Sequence, residues 1–299
     1  MISAATMING LNGTMKLREP MARHSSWRAG GPADRFYIPA NLQDLCDFLC
    51  TLDPAEPLLW VGLGSNLLVR DGGFHGTVIA VSGVLGQLEI RADGAITAGA
   101  GVSCPKLARF TVSKSLSGAE FLAGIPGTVG GALAMNAGAF GGETWGIVSS
   151  AQTVDRSGRL RRRSRAELKP GYRSVDIPEG EWFVSAEFRL VADDSGQGEQ
   201  RIRELLAQRA LTQPLGDASC GSVFRNPPGD SAGRLIDACG LKGLRSGNAV
   251  VSDKHANFII NLGGATATDI ERLICMVQQR VNQDSGILLE PEVRIVGHE

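Results

Sequence analysis

The 299-residue sequence lacks several features that mark common classes of protein. No run approaches the ~20 consecutive apolar residues that a membrane-spanning helix needs. Residues 1–15 also lack the basic start and apolar centre of a signal peptide. Charges nearly cancel, with 30 Lys and Arg against 31 Asp and Glu, so nucleic acid is not an expected partner. These absences predict a cytoplasmic protein without a membrane span.

Cysteine and histidine are scarce, with six and four residues respectively. No Cys-x-x-Cys pair occurs, and no Cys/His set has the spacing of zinc ligands. We therefore expect no metal site, and reduced, mostly buried thiols. No histidine is spaced with a serine or cysteine as in a catalytic triad. The Walker A pattern is absent, so a P-loop NTPase has no support. No Gly-x-Ser-x-Gly pattern surrounds Ser222, so this serine has no support as a hydrolase nucleophile.

Glycine, in contrast, is abundant, with 39 residues that cluster without the period of three found in collagen. The 43% hydrophobic and 20% charged content is typical of a folded globular protein. The length suggests two or three domains, and the polar, turn-rich segment Asp193–Gly198 marks one boundary. Extended and helical patterns mix without strict alternation, which favours an α+β fold over a doubly wound sheet.

Local patterns predict where the main elements lie. Helices are expected at Asn41–Leu49, from Ser103, at about 199–210, and after a capping-box pattern at Thr268–Glu271, with a stop at Gly286. Short strands are expected at Asp34–Ile38, Leu58–Val61, Leu67–Val69, Val78–Val81, Gln87–Arg91, Ala95–Ala98 and Val293–Val296.

The first glycine cluster is Gly62-Leu63-Gly64-Ser65-Asn66, between two apolar runs. It is not a dinucleotide fingerprint, because a third glycine is missing and a strand follows instead of a helix. Successive backbone N–H groups in such a turn can bind an anion, and Ser65 and Asn66 add donors. A tight turn between two strands is the alternative.

The second cluster, Gly124–Gly142, has seven glycines in nineteen residues and almost no charge. Such a run costs conformational entropy on folding. Its small residues allow a flat or phosphorylated ligand to approach the backbone closely. A buried Gly/Ala-rich helix contact is the alternative.

Three polar positions are candidates for chemistry. Arg173 follows Tyr172 and can clamp a phosphate or carboxylate. Ser222 carries a hydroxyl that can donate a proton. Glu292 alternates with apolar neighbours at the start of a strand, so it can point into a cleft. The alternatives are a surface turn, a structural serine and a solvated strand end.

A basic stretch holds six arginines within residues 156–165. It can meet an anionic partner. The turn signal Asp155–Gly158 and the neutral overall charge favour a solvated hairpin.

Six motifs, taken in order, closely resemble the UDP-N-acetylenolpyruvoylglucosamine reductase family, also called UDP-N-acetylmuramate dehydrogenases. Each motif is weak alone, but their order is specific, and the resemblance covers about residues 20–297. The motifs are Ser25–Gly31, Gly62–Leu68, Gly124–Gly142, Gly171–Ser174, Gly221–Pro227 and Leu289–Arg294.

The resemblance implies a fold and a reaction. The fold is a two-part FAD-binding region of the vanillyl-alcohol-oxidase-like (PCMH) type, followed by a C-terminal α+β substrate domain. The implied boundaries are 1–82 and 83–195 for the FAD-binding parts and 196–299 for the substrate domain. NADPH reduces non-covalently bound FAD. UDP-N-acetylglucosamine enolpyruvate then takes a hydride from flavin N5 and becomes UDP-N-acetylmuramate, a peptidoglycan precursor.

The resemblance also implies residue roles. Arg173 and Glu292 stabilise developing negative charge, and Ser222 donates the proton. The implied FAD contacts are Gly62, Gly64, Ser65, Asn66, Leu67, Gly124, Pro126, Gly127, Gly130, Ala134, Asn136 and Gly138. The implied substrate contacts are Tyr172, Arg225, Asn226, Lys242 and His255.

The sequence departs from part of the family in two places. Only a short segment separates Ser174 from Phe183, so the extra substrate-binding Tyr loop is absent and the chain resembles the shorter type. Arg225 stands where lysine is also common, and the two residues meet a phosphate with different geometry.

Two other functions remain as alternatives at the sequence level. One is an FAD-dependent oxidase of the same superfamily, although no histidine in the glycine clusters offers a covalent flavin link. The other is a non-catalytic nucleotide-sugar-binding module, which would not need Arg173, Ser222 and Glu292 together.

Overall fold

The computed structural model describes residues 5–6 and 10–299. Strands and helices alternate irregularly along the chain, as expected for α+β. The α-helices are α1 (Leu42–Cys50), α2 (Cys104–Ser113), α3 (Val129–Met135), α4 (Thr144–Ile147), α5 (Arg165–Leu168), α6 (Gly198–Thr212), α7 (Ala232–Ala238) and α8 (Ala267–Ser285). Two short 3₁₀ helices cover Met21–His24 and Glu120–Gly124.

Most of the strands are short, and several have only two or three residues. They are β1 (Ala5–Thr6), β2 (Thr14–Pro20), β3 (Pro32–Ile38), β4 (Leu58–Val61), β5 (Leu67–Val69), β6 (Phe74–Ala80), β7 (Leu88–Ile90), β8 (Ile96–Gly99), β9 (Leu116–Ser117), β10 (Gly138–Ala139), β11 (Gly142–Glu143), β12 (Val148–Asp155), β13 (Leu160–Ser164), β14 (Glu181–Phe188), β15 (Val191–Ala192), β16 (Arg245–Ser246), β17 (Ala249–Val251), β18 (Ile259–Asn261) and β19 (Arg294–Val296).

The chain divides into two compact units. The first contains the described residues up to Leu17 together with 35–62 and 77–209, and the second contains 18–34, 63–76 and 210–299. One five-stranded sheet has the order β1-β2-β3-β6-β4, in which β4 and β6 run parallel. A second sheet, within the first unit, has the antiparallel order β13-β12-β14-β8-β7.

Helix α3, which carries part of the second glycine cluster, rests on the core of the first unit. Val129, Ala132 and Leu133 on its inner side are buried. The indole N–H of Trp145 donates to the Leu133 carbonyl at 2.9 Å, and the indole ring lies 6.0 Å from the ring of Phe183 on β14. The inner face of α3 is therefore fixed, and its outer face is left for other contacts.

A buried carboxylate anchors the start of α1. Asp44 is 4% exposed, and its oxygens accept hydrogen bonds from the Tyr37 hydroxyl and from the backbone N–H groups of Asn12, Gly13 and Ala40. Burial alone would raise the pKa of Asp44. The four donors outweigh burial, so its pKa lies below the ordinary value. Asp44 is therefore a buried charged residue whose carboxylate oxygens both accept hydrogen bonds from the fold.

The second unit is built around Trp27 and α8. The Trp27 indole N–H donates to the Ile259 carbonyl at 2.7 Å, and the Asn261 side chain donates to the Trp27 carbonyl at 2.8 Å. The inward side of α8 is apolar, as the predicted helical spacing requires, and its buried residues include Ile270, Leu273, Ile274, Val277 and Val281. The C-terminal strand β19 pairs in parallel with β5.

The start of α8 corrects the predicted capping box. The cap is Thr266, which exchanges hydrogen bonds with Asp269, so the helix begins two residues before the predicted Thr268–Glu271 box. Thr266 and Asp269 have the same capping-box spacing as Thr268 and Glu271, and the helix uses the earlier pair. Asp71 accepts from both the backbone N–H and the hydroxyl of Thr268, at 2.8 and 2.6 Å, and binds this residue within the first turn.

The remaining element predictions are largely confirmed. Leu58–Val61 and Leu67–Val69 are strands with those bounds, but the strand predicted at Val78–Val81 begins earlier, at Phe74, and ends at Ala80. Of the six free cysteines three are buried, whereas Cys50 and Cys275 are exposed, so the prediction of mostly buried thiols is wrong for these two. Within residues 5–6 and 10–299, no helix is long and apolar enough to cross a membrane, and no potential metal-binding cluster is found.

The basic stretch forms the predicted hairpin, β12 and β13. Arg162 pairs with Glu187, and Arg163 pairs with Glu181 and Glu167. Arg161 lies 3.5 Å from a carboxylate oxygen of Asp155. These carboxylates neutralise much of the stretch, as a solvated hairpin requires.

Replacing Asp44 should lower the free energy of unfolding, because its buried charge accepts four hydrogen bonds. Asp44→Asn places an amide N–H₂ against donors in either orientation, so we expect a loss of about 2–3 kcal/mol of unfolding free energy at pH 7. Because the folded pKa is depressed, this contribution is present above the unfolded value of about 3.9 and is lost as pH falls through the folded pKa. Urea unfolding measured from pH 7 downward tests both statements.

The control for this prediction is Asp47→Asn, an exposed residue on the same helix that accepts only from Gln43 among the hydrogen bonds described for it. It should change stability by less than about 0.5 kcal/mol. An Asp44→Asn loss that is equally small, or that stays constant below pH 4, would contradict the account.

Candidate active site

The first glycine cluster follows β4 as a tight turn that only glycine can make. Gly64 has φ +61°, and a Cβ at this position would overlap the His24 carbonyl. The Gly64 carbonyl accepts the Ser26 backbone N–H at 3.1 Å. At the start of the turn, a Cβ on Gly62 would overlap the side chain of Thr128. Steric overlap thus requires glycine at both positions. This agrees with the prediction of a tight, glycine-dependent turn.

Thr128 caps α3, so its contact with Gly62 places the first residue of the first glycine cluster beside this helix within the first unit. The outer side of α3 carries the exposed residues Gly131 and Ala134, whereas Gly130 faces inward, where a Cβ would lie 2.9 Å from the Cβ of Ala100. A Cβ on Gly131 would meet only the Thr128 hydroxyl oxygen, at 3.9 Å. This outer face is therefore backbone with open space above it, which a flat ligand can approach.

Not every glycine of the second cluster faces open space. A Cβ on Gly124 would overlap the Phe140 ring, and one on Gly142 would lie 2.6 Å from the Phe121 ring. Gly124 is buried, whereas Pro126 is exposed and Gly127 is half-buried. At Gly124 and Gly142, the structure therefore matches the buried-contact alternative.

Asn136 joins the second cluster to the Tyr-Arg motif. It ends α3 with φ +45°, and its side-chain nitrogen donates to the Gly171 carbonyl at 2.9 Å and to Glu143 at 3.1 Å. Its side-chain oxygen accepts the Trp145 backbone N–H at 3.0 Å. The predicted cofactor residue thus connects two predicted site segments of the first unit.

Arg173 has an unusual backbone conformation at the tip of this motif. Its φ of +53° is in the left-handed region, which costs a non-glycine residue roughly 1–2 kcal/mol. Its guanidinium donates to the Gly138 carbonyl at 3.2 Å and lies 5.6 Å from the ring of Tyr172, which is 52% exposed. Strain of this kind clusters at functional sites, so the conformation supports a binding or catalytic role.

In the second unit, backbone pairing brings the segments of Ser222, Glu292 and Asn66 together. The Glu292 N–H donates to the Val223 carbonyl at 2.7 Å, directly after Ser222. The Asn66 side chain donates to the Glu292 carbonyl at 3.0 Å, and the Asn66 carbonyl accepts the Arg294 N–H at 3.0 Å. Three motifs that are far apart in the sequence are therefore neighbours in this unit.

The predicted turn residues Ser65 and Leu67 lie beside this group. Ser65 is half-buried and immediately precedes Asn66. Leu67 is buried at the start of β5, where its carbonyl accepts the Ser25 hydroxyl at 3.0 Å. The Ser25 hydroxyl therefore holds the end of the turn in place through this hydrogen bond.

Most of the predicted substrate contacts of the second unit surround α7. The Asn226 side chain accepts the backbone N–H of Ala232 at the start of the helix, at 3.1 Å. Lys242 pairs with Asp237 near its end at 2.7 Å. The His255 ring packs against the helix at Gly233, where a Cβ would lie 3.2 Å from the ring.

Two further features affect the charge of these contacts. Burial, with a smaller contribution from Lys242, lowers the pKa of His255, so the ring is neutral at pH 7. Arg225 pairs with Glu290 at 3.1 Å, and its backbone N–H donates to the Glu290 carbonyl at 2.9 Å. The second unit therefore offers a cation and a neutral histidine among its predicted substrate contacts.

Comparison with known proteins decides the family. A family model for the UDP-N-acetylenolpyruvoylglucosamine reductase C-terminal domain matches residues 213–296, and one for an FAD-binding domain matches residues 33–164. The Methylococcus capsulatus UDP-N-acetylenolpyruvoylglucosamine reductase is 58% identical over 295 residues, covering 99% of this chain and 97% of that protein. The chain belongs to the UDP-N-acetylenolpyruvoylglucosamine reductase family.

Further relatives agree with this assignment. The Nitrosococcus oceani reductase is 54% identical over 296 residues, covering 99% of this chain and 98% of that protein. A crystal structure of the Thermus caldophilus reductase matches with a TM-score of 0.82 at 32% identity, covering 98% of this chain and 99% of that one. Family membership confirms the predicted resemblance, the FAD-binding α+β fold class and the flavin oxidoreductase class.

The first unit carries a surface that fits FAD. Both glycine clusters lie within the residues matched by the FAD-binding model. The outer side of α3 exposes backbone and one methyl group, and the contact between Gly62 and Thr128 places the start of the first turn beside it. A flat isoalloxazine ring or a pyrophosphate can approach such a surface without meeting a large side chain.

Sequence reasoning missed one residue that contacts the site segments. Asn257 is 3% exposed, and its side chain bonds to both backbone groups of Phe224, two residues after Ser222. The available signal was an asparagine inside the apolar run Ala256–Ile260. A polar residue in a buried strand pattern needs hydrogen-bond partners, and here those partners are next to a predicted catalytic residue.

Proposed function

We propose that this reductase-family protein converts UDP-N-acetylglucosamine enolpyruvate into UDP-N-acetylmuramate, with bound FAD and with NADPH as the reductant. The observation that carries the proposal is the backbone pairing of the Ser222 and Glu292 segments, in which the Glu292 N–H donates to the carbonyl of Val223, the residue after Ser222. The net reaction consumes NADPH, a proton and the enolpyruvyl sugar, and yields NADP⁺ and the lactyl sugar. Nucleotide substrates of this kind place the reaction in the cytoplasm.

FAD would be held without a covalent bond by the two glycine clusters. Backbone N–H groups of the first turn, with Ser65 and Asn66, would bind its pyrophosphate. The outer face of α3 and the flanking Pro126, Gly127 and Gly138 would line the rest. When bound, FAD supplies the hydride that reaches the terminal carbon of the enolpyruvyl group.

Arg173 and Glu292 would stabilise the negative charge that develops on the substrate. Hydride addition to the terminal carbon leaves charge on the neighbouring carbon and its carboxylate. A fixed cation and a hydrogen-bonding acid lower the energy of that state, and removing one such group typically costs about 3–4 kcal/mol of barrier. The strained backbone of Arg173 supports this role, and the hydrogen bond to the Gly138 carbonyl holds the guanidinium beside the second glycine cluster.

Ser222 would complete the reduction by giving its hydroxyl proton to the carbon next to the carboxylate. A serine is a weak acid, so it donates usefully only to a strongly basic carbon held at hydrogen-bond distance. The serine oxygen then regains a proton from solvent, which closes the proton balance.

The UDP-sugar would be held by Tyr172, Arg225, Asn226, Lys242 and His255. The arginine and the lysine match the negative charge of the diphosphate, and Tyr172 offers an exposed ring. Arg225 can bind two phosphate oxygens at once, which a lysine cannot. We also propose the division into FAD-binding parts 1–82 and 83–195 and a substrate domain 196–299.

Two half-reactions test the proposal. The purified protein should show flavin absorbance that NADPH bleaches without oxygen and that the enolpyruvyl UDP-sugar then restores. Stopped-flow absorbance measures both steps, with UDP-N-acetylglucosamine, which lacks the enolpyruvyl group, as the control substrate. Absence of bound flavin, or no return of colour with the enolpyruvyl sugar, would refute the proposal.

Substitution of Ser222 separates the two steps. Ser222→Ala should leave bleaching by NADPH within about twofold of wild type and slow the return of colour by at least about 10²-fold, because only the second step needs the proton. Equal slowing of both steps would show that Ser222 does not act as the proton donor.

A further inference from the structure

Asn257 binds the backbone that follows Ser222 through both the oxygen and the nitrogen of its side-chain amide. Its side-chain oxygen accepts the Phe224 N–H at 2.9 Å, and its side-chain nitrogen donates to the Phe224 carbonyl at 2.8 Å. Its own backbone carbonyl accepts the Val223 N–H at 2.9 Å. The side-chain amide thus bonds to Phe224 as the backbone of a neighbouring strand would, since a primary amide presents the same donor and acceptor as a peptide group.

The Ser222 segment is held from two directions at this point. On one side Asn257 binds Val223 and Phe224, and on the other the Val223 carbonyl accepts the Glu292 N–H. The residue before Ser222 is Gly221, with φ +70° and open space where a Cβ would lie. The contacts that follow Ser222 therefore fix its backbone, whereas the glycine before it offers conformational freedom.

We propose that Asn257 is a positioning residue that sets where the Ser222 hydroxyl lies. This inference rests on the proposed function, in which Ser222 donates the proton. A proton donor must lie within hydrogen-bond reach of the reacting carbon, and a misplacement of about 1 Å can cost 10²-fold in rate. Loss of the amide should therefore slow the half-reaction with the enolpyruvyl sugar, in which net hydride transfer needs the proton, while leaving the reduction by NADPH intact.

The position of Asn257 is itself fixed by its own loop. Its backbone N–H donates to the His255 ring nitrogen Nδ1 at 3.2 Å, and the Ser252 hydroxyl oxygen accepts the N–H groups of Lys254 and His255. These hydrogen bonds hold the backbone of Asn257 in place, so its side-chain amide can in turn position the Ser222 segment.

Asn257→Asp is the sharpest variant, because the side chain keeps its shape. One oxygen still accepts the Phe224 N–H, but the second faces the Phe224 carbonyl with no proton to share. A matched control is Asn261→Asp. Asn261 is buried, accepts from Gly263 and Ala265, and donates to Trp27, but none of these contacts reaches Ser222.

Two measurements on the flavin-loaded protein test the proposal. Hydrogen exchange should show faster exchange at the amides of Val223 and Phe224 in Asn257→Asp, with the control unchanged there. Stopped-flow should show bleaching by NADPH within about twofold of wild type, and recovery with the enolpyruvyl UDP-sugar at least about 10-fold slower. In a Ser222→Ala background, Asn257→Asp should change recovery by less than about twofold, because both act through one hydroxyl.

The outcomes separate the two proposals. Unchanged exchange at Val223 and Phe224, equal slowing of both half-reactions, or multiplicative effects with Ser222→Ala would each overturn the positioning role. Similar slowing of recovery by Asn261→Asp would show a general effect of core destabilisation and would overturn it as well. If wild-type protein is never reoxidised by the enolpyruvyl sugar, the proposed function fails, and the exchange data alone decide whether Asn257 anchors the segment.

Discussion

The close packing of Gly62 against Thr128 is the constraint on which the candidate cofactor site depends. Any side chain at position 62 would overlap the residue that caps α3. Because residue 62 is glycine, the turn after β4 can begin beside the start of α3. Gly62 and the start of α3, more than sixty residues apart in sequence, thus lie side by side. The same turn then needs the left-handed Gly64 to avoid the His24 carbonyl.

Backbone pairing brings the candidate site segments of the second unit together. Asn66, Val223 and Glu292 connect through main-chain carbonyl and N–H groups, and the amide of Asn257 extends this pattern on one side. Main-chain bonds fix position without using the side chains of Ser222 and Glu292 for the pairing.

Local sequence signals predicted much of the fold. The strands at 58–61 and 67–69 have the predicted bounds, because short apolar runs between turn residues have few other structures available. The α8 cap is Thr266 because the Thr266–Asp269 pair forms the capping box, while Asp71, almost two hundred residues away, binds Thr268 in the first turn. Local spacing alone does not choose between the two overlapping capping-box patterns. In the candidate site the residue types were visible, but the left-handed backbone of Arg173 and the role of Asn257 depend on neighbours that only the folded chain supplies.

The central claim is that the outer face of α3 and the adjoining turn bind FAD, and FAD titration of a face-filling variant tests it most directly. Gly131→Leu adds a side chain where space is open, and leucine is a better helix former than glycine, so the fold should be kept. Gly86→Leu, on an exposed loop glycine with open surroundings, is the control. We predict that FAD-free Gly131→Leu unfolds at or above the wild-type temperature but binds FAD at least about 10-fold more weakly, a change of 1.4 kcal/mol, while the control binds normally. Unchanged FAD affinity in a folded Gly131→Leu protein would contradict the account.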